Sequence, residues 1–344
     1  MEFKNSELET VIPTKIIGPV KINRNGAEEL CYIPLATFEA PLWNSTKRGA
    51  LVSQATSGIR ASVVDDVMTR SIIIEADNLK SALSCKSAIE ADKKSIAEAV
   101  EKTSRYAKFR DLSIENVGRT LYVRLAIETG NASGHNMVTY AADAVAKYVL
   151  ARFKNAKYVS VSGNYCVDKK SSAINGVLGR GKRVSAEIFV PRDVCLNILK
   201  TTPEKIAELN VKKNLVGSVL SGGVRTANAH YANVVLAVFL ATGQDAANVV
   251  EASQGVTFAE VSGDDLYFSV NLPNLIVGTI GNGKNQPFAA KNLELMGCRP
   301  SDPDSSKRLA ALTASAVLCA ELSLMAALGN QGELMKAHIG LERK

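Results

Sequence analysis

The sequence has few cysteines, and none of them are closely spaced. Its 344 residues include six Cys, at positions 31, 85, 166, 195, 298 and 319, and no two have the spacing of a zinc ribbon. A disulfide framework is typical of short secreted chains and is not indicated here. Residues 1–9 are polar and lack the apolar run of a secretory signal. We therefore expect a reduced, cytoplasmic protein.

Aromatic residues are also scarce, at 6% of the chain, whereas Lys and Arg (41) outnumber Asp and Glu (34). A net charge of +7 is compatible with binding to a nucleic acid, a membrane surface or an acidic small ligand. The densest basic runs are Lys169-Lys170, residues 180–183 and Lys212-Lys213, without the alternating aromatic residues that stacking on bases requires. These runs indicate either solvated surface or a pocket for a polyanionic small ligand, and not a nucleic-acid partner.

The sequence also lacks a long run of strongly hydrophobic residues. Its most apolar stretch, Leu309 to Leu328, is rich in Ala and contains Glu321 together with Ser and Thr residues. A membrane-spanning helix needs about 20 residues of stronger hydrophobicity, so this stretch predicts a helix inside a protein core and no membrane span. With 46% hydrophobic residues, the chain can bury a sizeable core and is long enough for about two domains.

Residues 71–163 have a pattern of their own. A β-branched run at 71–76 predicts a strand, and 77–106, without Gly or Pro, predicts a helix. Strand-like runs near 110–116 and 119–128, a helical period over 136–153 and a strand at 158–161 follow. The order β-α-β-β-α-β is typical of the ferredoxin-like arrangement.

The rest of the chain predicts one larger α+β domain, formed by 1–70 and 164–335 and interrupted by the insert at 71–163. Its second half has helix-like runs at 195–209, 228–242 and 305–329, and strand-like runs at 185–190, 256–261 and 265–271. Residues 336–344 are short and polar, and predict a mobile C-terminal segment.

Two segments, 176–182 and 278–284, nearly spell a phosphate-binding P-loop. That motif needs Ser or Thr after its Lys to ligate Mg²⁺, whereas Arg183 and Asn285 follow here. An NTPase is therefore disfavoured, and the first segment predicts a simple turn. The second follows a predicted strand end at 275–277, so its backbone N–H groups could face a phosphate.

Residues 163–170, Gly-Asn-Tyr-Cys-Val-Asp-Lys-Lys, place an acid and two bases directly after a predicted strand. Side chains at a strand end are held by the sheet yet face a cleft, where a Lys can stabilise a developing oxyanion. Standing alone, the cluster would equally fit a charged surface.

With this segment in view, the chain resembles the 3-hydroxy-3-methylglutaryl-coenzyme A (HMG-CoA) reductase family from about Ile12 to His338. The stretches that carry the resemblance are 162–170, 213–218, 228–233, 243–247, 321–328 and 336–338, in the family's order. They look closer to the eukaryotic and archaeal branch than to the other bacterial one.

The resemblance implies reduction of a thioester to a primary alcohol by two hydride transfers, giving mevalonate and free CoA. Glu39 matches the glutamate that donates a proton to the reduced carbonyl, and Lys169 matches the lysine that stabilises the oxyanion. Asp245 matches the aspartate placed between them, which tunes both pKa values. His338 matches the histidine that protonates the departing CoA thiolate, a task that suits an imidazolium near neutral pH.

The resemblance also implies binding residues. Those that hold the carboxylate end of the HMG group or line its pocket match Arg70, Ser162, Asp168, Lys170, Lys213 and Asn233. Arg48 matches an arginine near the CoA side. The positive charge is thereby placed where a dicarboxylic thioester and nucleotide phosphates would bind.

For the dinucleotide, residues 130–137 match a family signature that contributes Asn131, Ser133 and Asn136, and Gly281 and Gly283 match a second glycine-rich motif. Ser104 and Arg105 match the pair that receives a 2′-phosphate, so the resemblance implies NADPH rather than NADH. No metal is implied. Asn131, Ser133 and His135 depart from the usual Asp, Met and Met, and His135 could face a phosphate instead.

The family builds its active site between two subunits, so the resemblance implies a homo-oligomer that binds HMG-CoA and CoA, with dimer and tetramer both open. Two other functions remain open on the sequence. One is catabolic oxidation of mevalonate with NAD and CoA, and the other is a catalytically weakened paralogue that binds CoA esters.

Overall fold

The computed structural model describes residues 10–24, 27–335 and 339. Its strands are β1 (Thr14–Arg24), β2 (Ala27–Ala36), β3 (Arg60–Ala76), β4 (Lys108–Val117), β5 (Thr120–Glu128), β6 (Ala156–Ser160), β7 (Gly181–Val190), β8 (Thr226–Ala227), β9 (Gly255–Ser262) and β10 (Asp265–Leu275).

Helices alternate irregularly with these strands. They are α1 (Ala40–Gln54), α2 (Leu79–Ala91), α3 (Lys93–Glu101), α4 (His135–Arg152), α5 (Ala173–Leu178), α6 (Arg192–Val194), α7 (Pro203–Leu209), α8 (Ser218–Leu220), α9 (Tyr231–Ala241), α10 (Val249–Ala252), α11 (Pro287–Leu295) and α12 (Ser305–Leu328). Short π-helical segments at Cys195–Leu199 and Asn210–Gly217 and a 3₁₀ turn at Ala246–Asn248 complete them. The mixed α+β class predicted from the sequence is confirmed.

Within the described residues, β1 and β2 form a two-stranded antiparallel sheet, and the other strands form one eight-stranded sheet. Its order is β4-β5-β3-β7-β10-β9-β8, with β6 paired to β3. All pairs are antiparallel except β8 with β9. The Arg60–Val67 half of β3 pairs with β7, and its Met68–Glu75 half pairs with β5.

The strand predicted at 71–76 is therefore longer than expected, because it begins at Arg60 and runs from one half of the sheet into the other. Two separate clusters of buried hydrophobic residues lie on these halves. One gathers α1, α9, α12 and the strands β7, β9 and β10, whereas the other draws almost all of its members from 68–149.

Helix α12 is the central helix of the larger cluster. By length and composition alone it could cross a membrane, but 89% of its most apolar 18-residue stretch is buried inside the protein. It packs closely on α1, because a Cβ at Gly49 would lie 2.0 Å from the Cys319 carbonyl oxygen. This is the core helix that the sequence predicts.

The helix predicted over 77–106 is wrong as one continuous helix, because the chain breaks between α2 and α3. Asp92 caps α3 by accepting a hydrogen bond from the Ser95 N–H at 3.4 Å. Its carboxylate also accepts from the Tyr148 hydroxyl at 2.5 Å and lies 2.6 Å from Arg152. These two partners come from α4, so tertiary contacts fix the break.

The basic run at 180–183 is not a solvated surface, which corrects one of the two sequence interpretations. The side chains of Arg180 and Lys182 are 0% and 3% exposed. Lys182 pairs with Asp66 on β3 at 3.1 Å, and Arg180 belongs to the site described next. The overlapping segment 176–182, predicted as a simple turn, contains the end of α5, a bend at Gly179 and the first residues of β7, with Gly179 and Gly181 at φ 79° and 85°.

Candidate active site

An ion pair between Lys169 and Asp245 lies in a partly exposed region between the loop after β6 and the loop after α9, hereafter called the cleft. Nζ and Oδ2 are 2.8 Å apart, and the two side chains are 41% and 44% exposed. Lys169 lies in the loop after β6, and Asp245 follows α9 and accepts a hydrogen bond from the Ala247 N–H. The hydrogen bond and the negative charge of Asp245 raise the pKa of Lys169. Lys169 is therefore a firmly protonated cation that faces solvent.

The Lys169 backbone is held in a strained conformation, with φ at 56° in the left-handed region. Its N–H donates to Glu251 Oε1 at 3.1 Å, and the same oxygen accepts from Arg180 Nη1 at 2.8 Å. Both Glu251 and Arg180 are fully buried. Arg180 Nη2 also lies 3.0 Å from Asp168 Oδ1, so one buried cation joins the two acids.

Sequence reasoning missed Glu251 and treated Arg180 only as part of a basic run. A signal for Glu251 exists, because it is a lone carboxylate in the otherwise uncharged run 246–253. A buried carboxylate needs a cation or several donors, and Arg180 is that cation.

Four predicted HMG-binding residues lie around Lys169. Arg70 Nη2 is 3.8 Å from Asp168 Oδ2, and its side chain is 11% exposed. Lys170 is exposed, and its Nζ donates to the Asp168 carbonyl oxygen at 3.2 Å. Ser162 is exposed at the start of the same loop. This side of the cleft therefore presents cations to an anionic ligand.

The two predicted dinucleotide segments lie against each other beside this cleft. The Thr279 N–H donates to the Asn131 carbonyl oxygen at 2.8 Å, and Ala132 and Ile280 form a parallel bridge. A Cβ at Gly278 would lie 2.4 Å from the Ser133 nitrogen, so only Gly allows this approach.

The segment that carries Asp245 is locked to these loops. The buried Gln244 side chain donates from Nε2 to the Gly278 carbonyl oxygen and accepts from the Gly278 N–H, each at 3.0 Å. Gly243 and Gly283 touch through their backbones, since a Cβ on either would lie within 2.3 Å of the other's carbonyl oxygen. The ion pair and the glycine-rich loops therefore form one rigid unit.

The residues present fit a dinucleotide. Helix α4 begins after Gly134, at φ 90°, without a side-chain cap, so its first N–H groups point out of the helix end. A bound phosphate is stabilised by such groups. Gly281, at φ 102°, has nothing within 4 Å of its Cβ position, which leaves room for a ligand.

The predicted 2′-phosphate pair lies next to these loops. Ser104 and Arg105 are in the turn between α3 and β4, and the following Tyr106 ring is 3.9 Å from the Cβ position of Gly130. The Arg105 guanidinium lies over that ring at 4.7 Å, and its Nη2 hydrogen-bonds the Tyr106 hydroxyl. Asn136, in the first turn of α4, is exposed.

Two residues that depart from the family signature lie against residues that are distant in sequence. The Asn131 side chain donates to the Asp302 carbonyl oxygen at 2.6 Å and accepts from the Ser306 N–H at 3.0 Å, next to the start of α12. His135 Nε2 lies 3.9 Å from Asp168 Oδ1. Burial and the nearby Arg180 charge lower the pKa of His135 to about 4, so its imidazole is neutral.

A cavity of about 610 Å³ elsewhere in the protein is lined by four further predicted residues. Glu39, Arg48, Lys213 and Asn233 line it together with an apolar wall from α1 and α12. Glu39 accepts a hydrogen bond from Asn233 Nδ2 at 2.7 Å. Arg48 pairs with Glu333 at 2.5 Å and donates to Ser323 Oγ at 2.9 Å.

The buried Glu321, another residue that sequence reasoning missed as functional, shapes this cavity. It accepts hydrogen bonds from the His230 N–H at 3.1 Å and from Thr257 Oγ1 at 2.9 Å, and it lies 3.0 Å from His230 Nδ1. It thereby holds the turn that precedes α9 and Asn233.

The described chain does not bring Glu39 to the Lys169–Asp245 pair. Glu39 contacts Asn233 in the first turn of α9, whereas Asp245 lies beyond the other end of that helix. The helical segment from Asn233 to Ala241 alone spans about 12 Å at 1.5 Å per residue. His338 lies outside the described residues.

Comparison with known proteins shows which family this chain belongs to. A family model described as hydroxymethylglutaryl-coenzyme A reductase matches residues 9–343. The 3-hydroxy-3-methylglutaryl-coenzyme A reductase of Pyrococcus horikoshii is 44% identical over 337 residues, which cover 96% of this chain and 81% of that protein. That of Methanocaldococcus jannaschii is 42% identical and covers 96% and 82%.

The fold is also similar to that of a solved structure, the class II enzyme of Streptococcus pneumoniae bound to NADPH. The TM-score is 0.74 at 19% identity, over 95% of this chain and 87% of that one. The match to the family model and the archaeal relatives identify the chain as a member of the hydroxymethylglutaryl-coenzyme A reductase family.

Proposed function

We propose that this protein reduces HMG-CoA to mevalonate and free CoA with two molecules of NADPH. The observation that carries the proposal is the Lys169–Asp245 ion pair, 2.8 Å long, in the cleft beside two paired glycine-rich loops. A fixed ammonium next to a dinucleotide site is what hydride transfer to a thioester requires, because the carbonyl oxygen becomes negatively charged.

Each residue then has a chemical task. Lys169 stabilises the oxyanion, and Asp245 keeps that ammonium protonated and oriented. Glu39 donates a proton to the reduced carbonyl, and His338 protonates the CoA thiolate. When bound, the dinucleotide supplies the hydrides, and the residues that would hold it include Ser104, Arg105, Asn131, Ser133, Asn136, Gly281 and Gly283.

The substrate would bind along both groups of residues. The cations at Arg70 and Lys170 suit the free carboxylate of the HMG group. The cavity beside Glu39 has an apolar wall with Arg48 and Lys213 at its polar side, which suits an acyl-CoA with its alkyl and phosphate parts.

Two subunits are proposed to complete each active site, since Glu39 and the Lys169–Asp245 pair lie at opposite ends of α9. An apolar surface supports this: Val219 and Leu220 on α8 are 79% and 82% exposed. Large exposed apolar side chains side by side are typical of protein interfaces. Light scattering should therefore show at least a dimer at concentrations where the protein is active, and a monomer would contradict the proposal.

We also propose that 71–163 is an inserted ferredoxin-like, NADPH-binding domain and that 1–70 with 164–335 form the larger domain. The spatial order β4-β5-β3-β6 and the separate hydrophobic cluster of 68–149 support it. A cytoplasmic location is proposed with it, since all six cysteines are free and buried.

The test is a spectrophotometric assay of NADPH oxidation. We expect oxidation that depends on HMG-CoA, with about two NADPH consumed per CoA released. Lys169→Ala should abolish it, whereas Lys157→Ala, which removes an exposed lysine on β6, should not. Absence of HMG-CoA-dependent oxidation in the wild type would overturn the proposal. Faster NAD reduction with mevalonate and CoA would favour the catabolic direction, and ligand binding without turnover would favour a weakened paralogue.

A further inference from the structure

Lys284 is buried inside an otherwise polar, open turn. The turn 281–286 leads into α11, and Gly281, Asn282, Asn285 and Gln286 are exposed. Lys284, by contrast, is only 7% exposed. A lysine in a surface turn normally extends into water, because burial removes the hydration of its ammonium. The inward direction of this side chain therefore needs a cause.

The contacts that Lys284 makes with other described residues do not explain this inward direction. Nζ donates one hydrogen bond, to Ser133 Oγ at 3.3 Å. Among the residues that the structure describes, no carboxylate lies within 4.0 Å of it. Burial lowers the pKa of Lys284, although the more distant Asp245 acts in the opposite direction. Asp245 is already paired with Lys169.

The place that Lys284 faces is the beginning of α4. Ser133 immediately precedes Gly134, the residue at which α4 starts without a side-chain cap. The partial positive charge of that helix end favours an anion. A buried ammonium beside uncapped N–H groups brings two sources of positive charge to one point, and in the part of the chain that the structure describes no carboxylate forms an ion pair with that ammonium.

We propose that Lys284 is a further dinucleotide-binding residue, whose ammonium binds the diphosphate of NADPH at the N-terminus of α4. The inference rests on the proposed function, because it takes the dinucleotide as the ligand of this cleft. It explains why the turn places one lysine inward while its neighbours are exposed. It also links Ser133, which departs from the family signature, to the same phosphate site.

Calorimetric binding of NADPH and of NADH tests this in the full-length protein. Both dinucleotides carry the diphosphate, so Lys284→Met should weaken both by the same factor, roughly 10- to 100-fold for a lost charge-assisted hydrogen bond. Lys284→Arg keeps the cation and should retain most of the affinity. Lys291→Met, on the exposed side of α11, is the matched control and should bind as the wild type does.

Thermal unfolding without dinucleotide separates binding from folding. Removing a buried, poorly paired ammonium should leave the melting temperature of Lys284→Met unchanged or higher. Unchanged affinity in Lys284→Met would overturn the inference. The inference would also be overturned if the Met and Arg variants lost affinity to the same extent and both had a lower melting temperature, because the turn would then simply have lost its fold. A wild type that binds neither dinucleotide would instead refute the proposed function.

Discussion

The substitution Glu251→Gln tests whether the buried Glu251–Arg180 pair positions Lys169. Glu251 Oε1 receives hydrogen bonds from the Lys169 N–H at 3.1 Å, Arg180 Nη1 at 2.8 Å and Asn248 Nδ2 at 2.9 Å. Gln keeps an acceptor oxygen for the Lys169 N–H but removes the charge that compensates Arg180. Breaking one side of a buried ion pair costs about 3 kcal/mol of unfolding free energy or more.

The catalytic effect follows from the backbone of Lys169. Its left-handed conformation is maintained by the Glu251 contact. Loss of the negative charge that holds Arg180 at the same oxygen should displace the side chain at position 251, so the Lys169 loop would relax and move the ammonium away from the reacting carbonyl. We expect kcat to fall between about 10- and 100-fold, since displacements near 1 Å have effects of that size. The KM for NADPH should change little, because the carboxylate of Glu251 hydrogen-bonds Lys169, Arg180 and Asn248 and none of the proposed dinucleotide-binding residues in the described part of the chain.

Asp66→Asn is the matched control for Glu251→Gln. It breaks the Lys182–Asp66 pair, whose side chains are 3% and 13% exposed. Lys182 is only two residues from Arg180 in the chain. Urea unfolding should show comparable losses of stability for both variants, whereas steady-state kinetics should show a kcat loss for Glu251→Gln alone. Equal kcat in both variants would refute a positioning role.

Three further predictions concern the dinucleotide side. Because the pKa of His135 falls from 6.5 to about 4 on folding, the unfolded chain binds more protons between these values and stability declines as pH falls. His135→Met should remove about 2 kcal/mol of that decline near pH 5 in urea unfolding, and equal declines would contradict the assignment. Asn131→Asp cannot donate to the Asp302 carbonyl, so the melting temperature should drop by a few degrees, for about 1 kcal/mol lost; an unchanged value would contradict this. Arg105→Ala should reduce kcat/KM for NADPH about tenfold or more and leave that for NADH unchanged, whereas equal effects would reject 2′-phosphate binding.

Sequence periodicity predicted the long elements well. The helices predicted at 136–153 and 305–329 are α4 (His135–Arg152) and α12 (Ser305–Leu328). The strands near 110–116 and 119–128 are β4 and β5. Each of these segments buries either one regular face or all of its sides, so the local pattern of hydrophobic residues is sufficient to predict it. The break at Asp92 escaped prediction because its cause, Tyr148 and Arg152, lies more than 50 residues away.

The candidate site shows the same division between local and distant causes. The resemblance singled out Lys169 and Asp245, which the structure brings together as an ion pair, but no sequence pattern indicated that Arg180 is buried between Asp168 and Glu251. Burial of a charge depends on partners brought together by the sheet, and these partners are 12 and 71 residues away in sequence. For the same reason, the separation of Glu39 from Asp245 along α9 appears only in three dimensions.

Complementation between two inactive variants tests the shared active site most directly. Glu39→Ala and Lys169→Ala, each purified alone, should show almost no HMG-CoA-dependent NADPH oxidation. Co-expressed with different affinity tags and purified as a hetero-oligomer, they should recover about half of the wild-type activity per dimer, because one of two symmetric sites then keeps both residues. A hetero-oligomer as inactive as its parents would contradict a site completed by a second subunit.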